Sequence, residues 1–217
     1  MGFLTISKFL MILILPFVLF LLVLNVVGFN NSFYREKFSK YGVDGNISSL
    51  HEKVINFVKG ENQELPNEFN ERERQHLLDV RNIVSVSKLS LYVLFLLFTL
   101  LLLMSAFMLK INNYIANFIG RVLVFGGFLT IALASILFFF INFDFASAFE
   151  AFHSLFFDKG TYAFDPAKEL IVNLYPEQLF MDLGLKISKW AVLASVIVIL
   201  AGAFLIFKSK SKKNKNK

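Results

Sequence analysis

Three histidines are the side chains of this chain best suited to proton transfer: His51, His76 and His153. An imidazole with its ordinary pKa of about 6.5 can accept or release a proton close to neutral pH. On a helix, His76 would have Arg72 one turn before it and Asp79 three residues after it, so a carboxylate could reach and orient its ring. His51 is assigned to a polar helix face, where a histidine usually has a structural or solvated role. His76 and His153 are therefore the candidates for chemistry.

His153 lies in an aromatic stretch, and its neighbours at helical spacing are phenylalanines. Residues three and four apart share a helical face, which places His153 beside Phe149, Phe156 and Phe157. Apolar neighbours lower the pKa of a histidine, so that it stays neutral and can accept a proton. Such phenylalanines are more often core or lipid contacts than the wall of a site, and this alternative interpretation stays open.

Several common catalytic chemistries have no counterpart in this sequence. The chain contains no cysteine, which excludes disulfides, thiolate zinc sites and cysteine nucleophiles. It also lacks the serine-elbow, zincin, P-loop and dinucleotide-binding motifs. Ser154, beside His153, remains an alternative nucleophile. A metal held by His76, Asp79 and His153 is another alternative, although two histidines and one carboxylate from separate segments form a weak motif.

The composition places the chain in a lipid bilayer. Hydrophobic residues make up 56% of its 217 residues and the mean hydropathy is +0.63, which is too apolar for a soluble domain of this size. The first apolar segment lacks a small-residue cleavage site and is expected to remain as an anchor. Gly126 and Gly127 would let a neighbouring helix approach the third apolar segment closely. Uncharged segments long enough to cross about 30 Å of hydrocarbon predict four spanning helices, at about residues 9–28, 89–109, 122–143 and 190–207.

The charges outside these four segments are distributed unequally. Residues 1–8, 110–121 and 208–217 together contain nine basic residues and no acidic ones. Residues 30–88 and 144–189 contain the other thirteen basic residues and all sixteen acidic ones, which gives them a net charge of −3. By the positive-inside rule, both termini are expected in the cytoplasm. The basic tail 208–217 is then interpreted as an anchor at anionic membrane lipid and not as a nucleic-acid-binding segment.

The chain is therefore predicted to be an all-α membrane protein, a single integral membrane domain over residues 1–217. Residues 30–87 and 144–188 are expected to form a small cap on the extracellular side. If the helix of His76 leads into the second span and the helix of His153 leaves the third, the two rings lie at similar depth. A two-histidine site at the membrane surface follows from this arrangement.

Within the cap, apolar residues at helical spacing predict two helices before the second span. One covers residues 48–60 and the other begins after Asn70. After the third span, the pattern predicts a helix that stops at Gly160, a tight turn, and a new helix that starts at Asp165-Pro166. The segment is thus expected to be ordered.

Two groups of motifs in the predicted cap resemble those of a known family. They are ERERQHLLDV at residues 71–80, and FHSLFF, YAFDP and YPEQLF between residues 152 and 180. With the four-span arrangement, they resemble the lipoprotein intramolecular transacylases, Lit, a family of bacterial integral membrane proteins. The resemblance covers essentially the whole chain.

The resemblance implies that the chain moves the sn-2 acyl chain of a diacylglyceryl-modified lipoprotein to the α-amine of its N-terminal cysteine, which leaves a lyso-form lipoprotein. His153 would act as general base, and His76 would protonate the leaving glycerol oxygen or stabilise the oxyanion, although the two roles could be exchanged. Asp79 would orient His76, and Arg72 or Glu73 would tune it. No cofactor is expected, because the ester already carries an activated acyl group. The substrate would lie in an aromatic pocket lined by Phe149, Phe152, Phe156, Phe157, Tyr162 and Phe164.

Two other functions are compatible with the residues alone. A non-enzymatic lipid-binding or scaffold protein would have dispensable histidines. A metal-dependent membrane hydrolase would lose its activity to a chelator.

Overall fold

The computed structural model describes residues 2–62, 64–109, 112–158 and 160–215. All regular secondary structure within these residues is helical. Residues 1, 63, 110–111, 159 and 216–217, which belong to the predicted inner and cap segments, lie outside the described residues. In chain order the helices are α1 (Phe3–Val27), α2 (Asn31–Lys40), α3 (Gly45–Ser48), α4 (His51–Lys59), α5 (Glu71–Leu109), α6 (Asn112–Phe143), α7 (Phe145–Phe156), α8 (Leu170–Leu174) and α9 (Glu177–Lys215).

Four of these helices are long and apolar enough to cross a membrane, namely α1, α5, α6 and α9. They coincide with the four predicted spans, so the prediction of an all-α, multi-pass membrane protein is confirmed. Three of them extend well beyond the uncharged segments. Helix α5, for example, begins at Glu71, whereas the predicted span begins at residue 89. Hydropathy marks only the part of a helix that suits hydrocarbon, because helical backbone bonds continue equally well through charged residues.

The apolar parts of the four long helices form the first of two compact units. Within it, two adjacent glycines of α6 lie against other helices. A Cβ atom added to Gly126 would lie 2.6 Å from Leu15 Cδ2, and one added to Gly127 would lie 2.5 Å from Ile199 Cγ1. The predicted close approach at these glycines is therefore confirmed. This unit comprises Met1–Leu24, Ser90–Phe138 and Ile187–Lys217.

The second compact unit comprises Asn25–Leu89 and Phe139–Lys186, and it contains every predicted site residue. It has a hydrophobic core of its own, to which α2, α4, the first turns of α5, α8 and the start of α9 contribute. The buried members of this core are Phe33, Tyr34, Phe38, Leu50, Val54, Phe57, Val58, Leu65, Phe69, Leu77, Ile171, Leu174 and Leu179.

Two predicted helix boundaries in this unit are confirmed. Helix α4 ends at Gly60, whose positive φ of 84° suits glycine. Helix α5 begins after Asn70, and its first turn forms a capping box with Glu73. The side chain of Asn70 accepts a hydrogen bond from the Glu73 backbone N–H at 3.0 Å, and Glu73 Oε2 accepts one from the Asn70 N–H at 2.8 Å.

The predicted helix start at Asp165-Pro166 is wrong. The backbone N–H groups of Lys168 and Glu169 both donate to Asp165 O at 2.9 Å, which makes a single turn. Glu169 then adopts an extended conformation, with φ −118° and ψ 132°, and α8 begins only at Leu170. The carboxylate of Glu169 accepts a hydrogen bond from the Asp165 N–H at 2.5 Å, which stabilises a turn instead of a helix.

The remaining differences concern α2, α3 and α7. Neither α2 nor α3 was predicted. The sequence of α2 did hold a signal, because Phe33, Tyr34 and Phe38 share one helical face and are buried. Helix α3, GNIS, is too short for a periodic pattern. Helix α7 ends at Phe156, before the expected stop at Gly160. Gly160 has a φ of 87° and lies in the turn that follows.

Candidate active site

His76 is buried on the inward face of α5. Glu73 and Leu77 of the same helix are 1% and 3% exposed, and Val80 packs on the core at the next helical position. Residues three and four apart share one face of a helix, so His76 lies on the same buried face of α5 as these residues. Its side chain is 8% exposed. Its Nδ1 atom is buried and has no hydrogen-bond partner among the described residues. His76 therefore carries an uncommitted ring nitrogen.

His153 lies in the last turn of α7 and is also 8% exposed. Its Nδ1 donates a hydrogen bond to the backbone carbonyl of Phe149, one turn earlier, at 2.8 Å. Since a carbonyl only accepts, the neutral ring carries its proton on Nδ1. The lone pair of a neutral His153 is therefore on Nε2, the atom that can act as a base.

The two rings come together from separate helices. Their centroids are 6.3 Å apart and their planes are 18° from parallel. Phe157 stacks on both, with its centroid 4.7 Å from that of His76 and 5.3 Å from that of His153. The structure thus brings together the two histidines selected from the sequence.

Burial sets the protonation state of both histidines. Desolvation, with a smaller contribution from the charge of His153, lowers the pKa of His76 from 6.5 to about 4. Desolvation also lowers the pKa of His153. The hydrogen bond to Phe149 O and the negative charge of Glu150 oppose that lowering. Both rings are therefore neutral near pH 7.

Aromatic side chains surround the two rings. Against His153 lie Phe149, Phe152 and Tyr162, with centroid distances of 4.1, 5.4 and 4.9 Å. Phe164 packs edge-on against His76 at 5.2 Å. With Phe157, these are five of the six residues predicted for the pocket wall.

Phe156 differs from the other five predicted wall residues. It is 48% exposed, and its ring lies 5.0 Å from that of Phe152 with the planes tilted by 48°. It has no ring contact to either histidine among the described residues. A residue three positions after His153 lies about 60° around the helix from it, which is enough to turn this side chain outward. Phe180, whose ring lies 6.0 Å from that of Phe149, likewise contacts the wall with no ring contact to either histidine among the described residues.

Arg72 makes contacts that the sequence did not indicate, and they lie with the segment that follows α7. Its guanidinium pairs with Glu169 Oε1 at 3.0 Å and donates to the carbonyls of Gly160 and Ala163 at 2.8 and 2.5 Å. It also lies over the ring of Phe164, 5.1 Å from the centroid. Arg72 therefore holds the segment that carries Tyr162 and Phe164, and among the described residues Phe164 links it to His76.

The carboxylate of Glu73 makes no hydrogen bond to His76 among the described residues. Besides its part in the capping box, it accepts a hydrogen bond from the backbone N–H of Ile171 through Oε1 at 2.7 Å. Both carboxylate oxygens are therefore engaged in joining α5 to α8.

The expectation that Asp79 orients His76 is wrong. Asp79 Oδ1 accepts a hydrogen bond from the side chain of Gln75 at 3.3 Å. Gln75 and Asp79 share the outer face at four-residue spacing, whereas His76 points inward. The alternative metal site at His76, Asp79 and His153 is not assembled. Among the described residues, no group of three histidine, aspartate or glutamate side chains is placed to hold a metal.

His51 is buried and not on a polar face, which corrects the prediction. It is 5% exposed, and its ring lies 4.3 Å from that of Tyr34 and 5.1 Å from that of Phe38. Its Nδ1 and the Tyr175 hydroxyl share a hydrogen bond of 3.0 Å. The sequence held a signal for this, because His51, Val54, Ile55 and Val58 recur at three- and four-residue spacing.

Two residues near the site were missed by the sequence reasoning. Glu169 carries no local signal, since its partner Arg72 is distant in the chain. Glu150 lies three residues before His153 on α7, so helical spacing could have identified it. Its Oε1 accepts a hydrogen bond from the Tyr162 hydroxyl at 2.7 Å.

Comparison with known families gives one match over most of the chain. Residues 9–180 match the family model described as "Lipoprotein intramolecular transacylase Lit". No curated protein sequence matches the chain at a significant level.

Solved structures show a similar fold. The in meso structure of the membrane integral lipoprotein intramolecular transacylase Lit from Bacillus cereus superposes with a TM-score of 0.82 at 19% identity, covering 96% of this chain and 98% of that one. Structures of the same Bacillus cereus protein with a histidine-to-arginine or a histidine-to-alanine mutation both give a TM-score of 0.78 at 19% identity. They cover 96% of this chain and, respectively, 94% and 96% of theirs.

Proposed function

Because the chain belongs to the Lit family and is thus a lipoprotein intramolecular transacylase, an acyltransferase of the membrane, we propose a specific reaction for it. The sn-2 acyl chain of a diacylglyceryl-modified bacterial lipoprotein moves to the α-amine of the N-terminal cysteine, within one substrate molecule. The product is the lyso-form lipoprotein. His153 and His76 act as the acid–base pair in this reaction.

The observation that carries the proposal is the tautomer of His153. Its Nδ1–H is committed to the carbonyl of Phe149, so its Nε2 lone pair is available to a substrate proton. The burial that lowers its pKa keeps the ring neutral at physiological pH. A neutral imidazole with a fixed tautomer is what a general base for an amine requires.

His76 is suited to the complementary role. With a pKa of about 4 it is neutral near pH 7, so its N–H proton is available to the leaving glycerol oxygen or to a hydrogen bond that stabilises the developing oxyanion. The proton that His153 takes from the amine is returned to the leaving glycerol oxygen. One C–O bond breaks and one C–N bond forms, so the product is an isomer of the substrate. This balance needs no further reactant.

The aromatic wall contributes orientation. Attack of the amine on the sn-2 ester passes through a medium-sized ring, and the substrate must be held folded. Confinement among Phe149, Phe152, Phe157, Tyr162 and Phe164 would supply several kcal/mol of the barrier reduction, on the order of a well-oriented intramolecular reaction.

The proposal extends to the membrane orientation. The basic segments at both termini and between the second and third spans support a cytoplasmic location for them. The two histidines then face the extracellular side, where the diacylglyceryl lipoprotein is anchored.

The proposal is tested with purified protein and a diacylglyceryl lipopeptide that has a free α-amine. We expect an isomer of identical mass whose fragments place one acyl chain on nitrogen. The same lipopeptide with an acetylated amine should be inert. A mixture of unlabelled and acyl-labelled lipopeptides should give no crossed products. Abundant crossed products, or an acyl group trapped on Ser154, would overturn the direct transfer.

A chelator distinguishes the metal-dependent alternative. The transfer should proceed at the same rate after exhaustive treatment with EDTA, since no step requires a metal. Loss of activity that is restored by added zinc would instead indicate a metalloenzyme.

A further inference from the structure

Glu150 is a lone charged carboxylate on a helix that is otherwise apolar and aromatic. Helix α7 has the sequence FASAFEAFHSLF, in which Glu150 and His153 are the only titratable side chains. Glu150 is exposed, whereas its neighbour at three-residue spacing, His153, is buried. A single charged residue is unusual on a helix surface that is mostly phenylalanine. This one lies three residues from a buried base.

Contacts hold this carboxylate beside the base. The Tyr162 hydroxyl donates to Glu150 Oε1 at 2.7 Å, and the Tyr162 ring lies 4.9 Å from that of His153. Arg72 fixes the segment that carries Tyr162 through the carbonyls on either side of it, those of Gly160 and Ala163. Glu150 is thus anchored through one oxygen, while no described residue occupies Oε2.

The charge of Glu150 acts on His153. Its negative charge raises the pKa of His153 and so offsets part of the desolvation. Among the described residues, the titratable groups that face His153 are Glu150 on its own helix, Tyr162 on the following segment and His76 on α5. Glu150 is the one of these that carries a negative charge near pH 7.

We propose that Glu150 is the binding site for the α-ammonium group of the substrate's N-terminal cysteine, which it presents to Nε2 of His153. This inference rests on the proposed function and assigns a residue to substrate recognition. Glu150 stays ionised. His153 first takes one proton from the ammonium and passes it to bulk water, and the neutral amine that remains attacks the ester. Neutral again, His153 takes the second proton as the C–N bond forms, and that proton goes to the glycerol oxygen as the C–O bond breaks. Conversion of the ammonium to the amide therefore releases one proton to water.

The same contact distinguishes the substrate from the product. The substrate nitrogen is a cation before transfer and an uncharged amide afterwards. The ion pair with Glu150 is therefore available only to the substrate. Loss of this ion pair favours release of the product. Lipids without an ammonium group cannot form the ion pair and are not bound more tightly by Glu150.

The test compares the wild-type protein with Glu150→Gln, which keeps the size and the hydrogen bond from Tyr162 but removes the charge. Binding is measured for two probes, a diacylglyceryl lipopeptide with a free α-amine and its N-acetylated form. The wild type should prefer the free amine by roughly fivefold, as is typical for an exposed charge pair. Glu150→Gln should lose this preference and bind the acetylated probe as well as the wild type does.

Kinetics provides a second readout. Glu150→Gln should raise KM for the free-amine lipopeptide by about the same factor, with a small change in kcat. Its pH profile of kcat should shift to lower pH, because the carboxylate no longer raises the pKa of His153. Glu150→Asp should restore part of the preference. Glu64→Gln, which removes an exposed carboxylate from another segment, is the matched control and should behave as the wild type.

The outcomes separate this inference from the function on which it rests. If the wild type forms no N-acylated isomer, the proposed function fails. If the wild type forms the isomer but Glu150→Gln keeps the amine preference, the KM and the pH profile, then Glu150 does not bind the ammonium and the inference alone is overturned.

Discussion

The imidazole rings of His76 and His153 lie within 18° of parallel, with their centroids 6.3 Å apart. At this separation, in a buried environment, a charge on one ring disfavours a charge on the other, and the charge of His153 does lower the pKa of His76. The pair is thus suited to hold one proton at a time. That is the behaviour needed to move a proton from an amine to a glycerol oxygen without accumulating two charges.

The first prediction concerns the two histidines. His76→Ala and His153→Ala should each reduce kcat by roughly 10²- to 10⁴-fold, the usual contribution of a proton-transfer group. Turnover of the lipopeptide is measured by mass spectrometry, per mole of folded protein. His51→Gln is the control, since it alters a buried histidine outside the aromatic wall. Near-normal turnover by either alanine variant would contradict the acid–base pair.

The second prediction concerns the pH dependence of turnover. Burial lowers the pKa of both His76 and His153, so the pair loses its neutral form only below pH 6.5. At saturating lipopeptide, kcat should therefore show two acid limbs. One lies near the pKa of about 8 of the substrate's α-ammonium group, which must lose a proton, and the second lies below pH 6.5, where the histidines become protonated. A profile without any limb below pH 6.5 would show that neither buried ring is the base.

The third prediction concerns the ion pair of Arg72 and Glu169. Arg72→Met should reduce activity by roughly 10- to 100-fold, because it releases the segment of Tyr162 and Phe164, and small displacements near a site have effects of this size. Arg72→Lys should recover little, since an ammonium cannot bind a carboxylate and two carbonyls as a planar guanidinium does.

Arg74 offers a matched control for this prediction. It lies on the same helix and donates to the backbone carbonyls of Phe69 and Pro66, at 3.0 and 2.8 Å. Arg74→Met should lower thermal stability while turnover per folded molecule stays close to that of the wild type. Equal losses of turnover in both variants would indicate a general loss of structure.

The sequence predicted the features that depend on local patterns. The four apolar segments, the start of α5 after Asn70 and the end of α4 at Gly60 follow from composition, capping and glycine. The choice of His76 and His153 also needed only helical spacing and the order of the spans. Each of these features arises from residues close together in the chain.

The features that the sequence did not predict depend on distant partners. Asp79 was expected to bind His76, but it lies on the outer face of α5 beside Gln75. The backbone from Gly160 to Glu169 has no periodic pattern, and its conformation depends on Arg72 of another helix. Such contacts arise only when the helices pack, so local spacing cannot identify them.

The fourth prediction uses the buried His51. Burial lowers its pKa to about 4, below its value of about 6.5 in an unfolded chain. The unfolded state therefore binds more protons between these values, and stability is lost as the pH falls from 6.5 towards 4. The melting temperature in detergent should fall over this range, and His51→Gln should flatten the dependence. An unchanged slope in the variant would assign the effect to other groups, such as His76 and His153.

The last prediction concerns orientation, and it rests on the nine basic and no acidic residues of the segments assigned to the cytoplasm. Because the native chain contains no cysteine, single cysteines introduced at Asn46, Thr161 and Ser211 can be labelled without background. A membrane-impermeant thiol reagent applied to intact cells should modify the variants at Asn46 and Thr161 and spare the one at Ser211. Permeabilised cells provide the control, in which all three should react. Protection of Asn46 and Thr161 together with labelling of Ser211 would invert the topology and place the two histidines on the cytoplasmic side, away from a substrate anchored outside the cell.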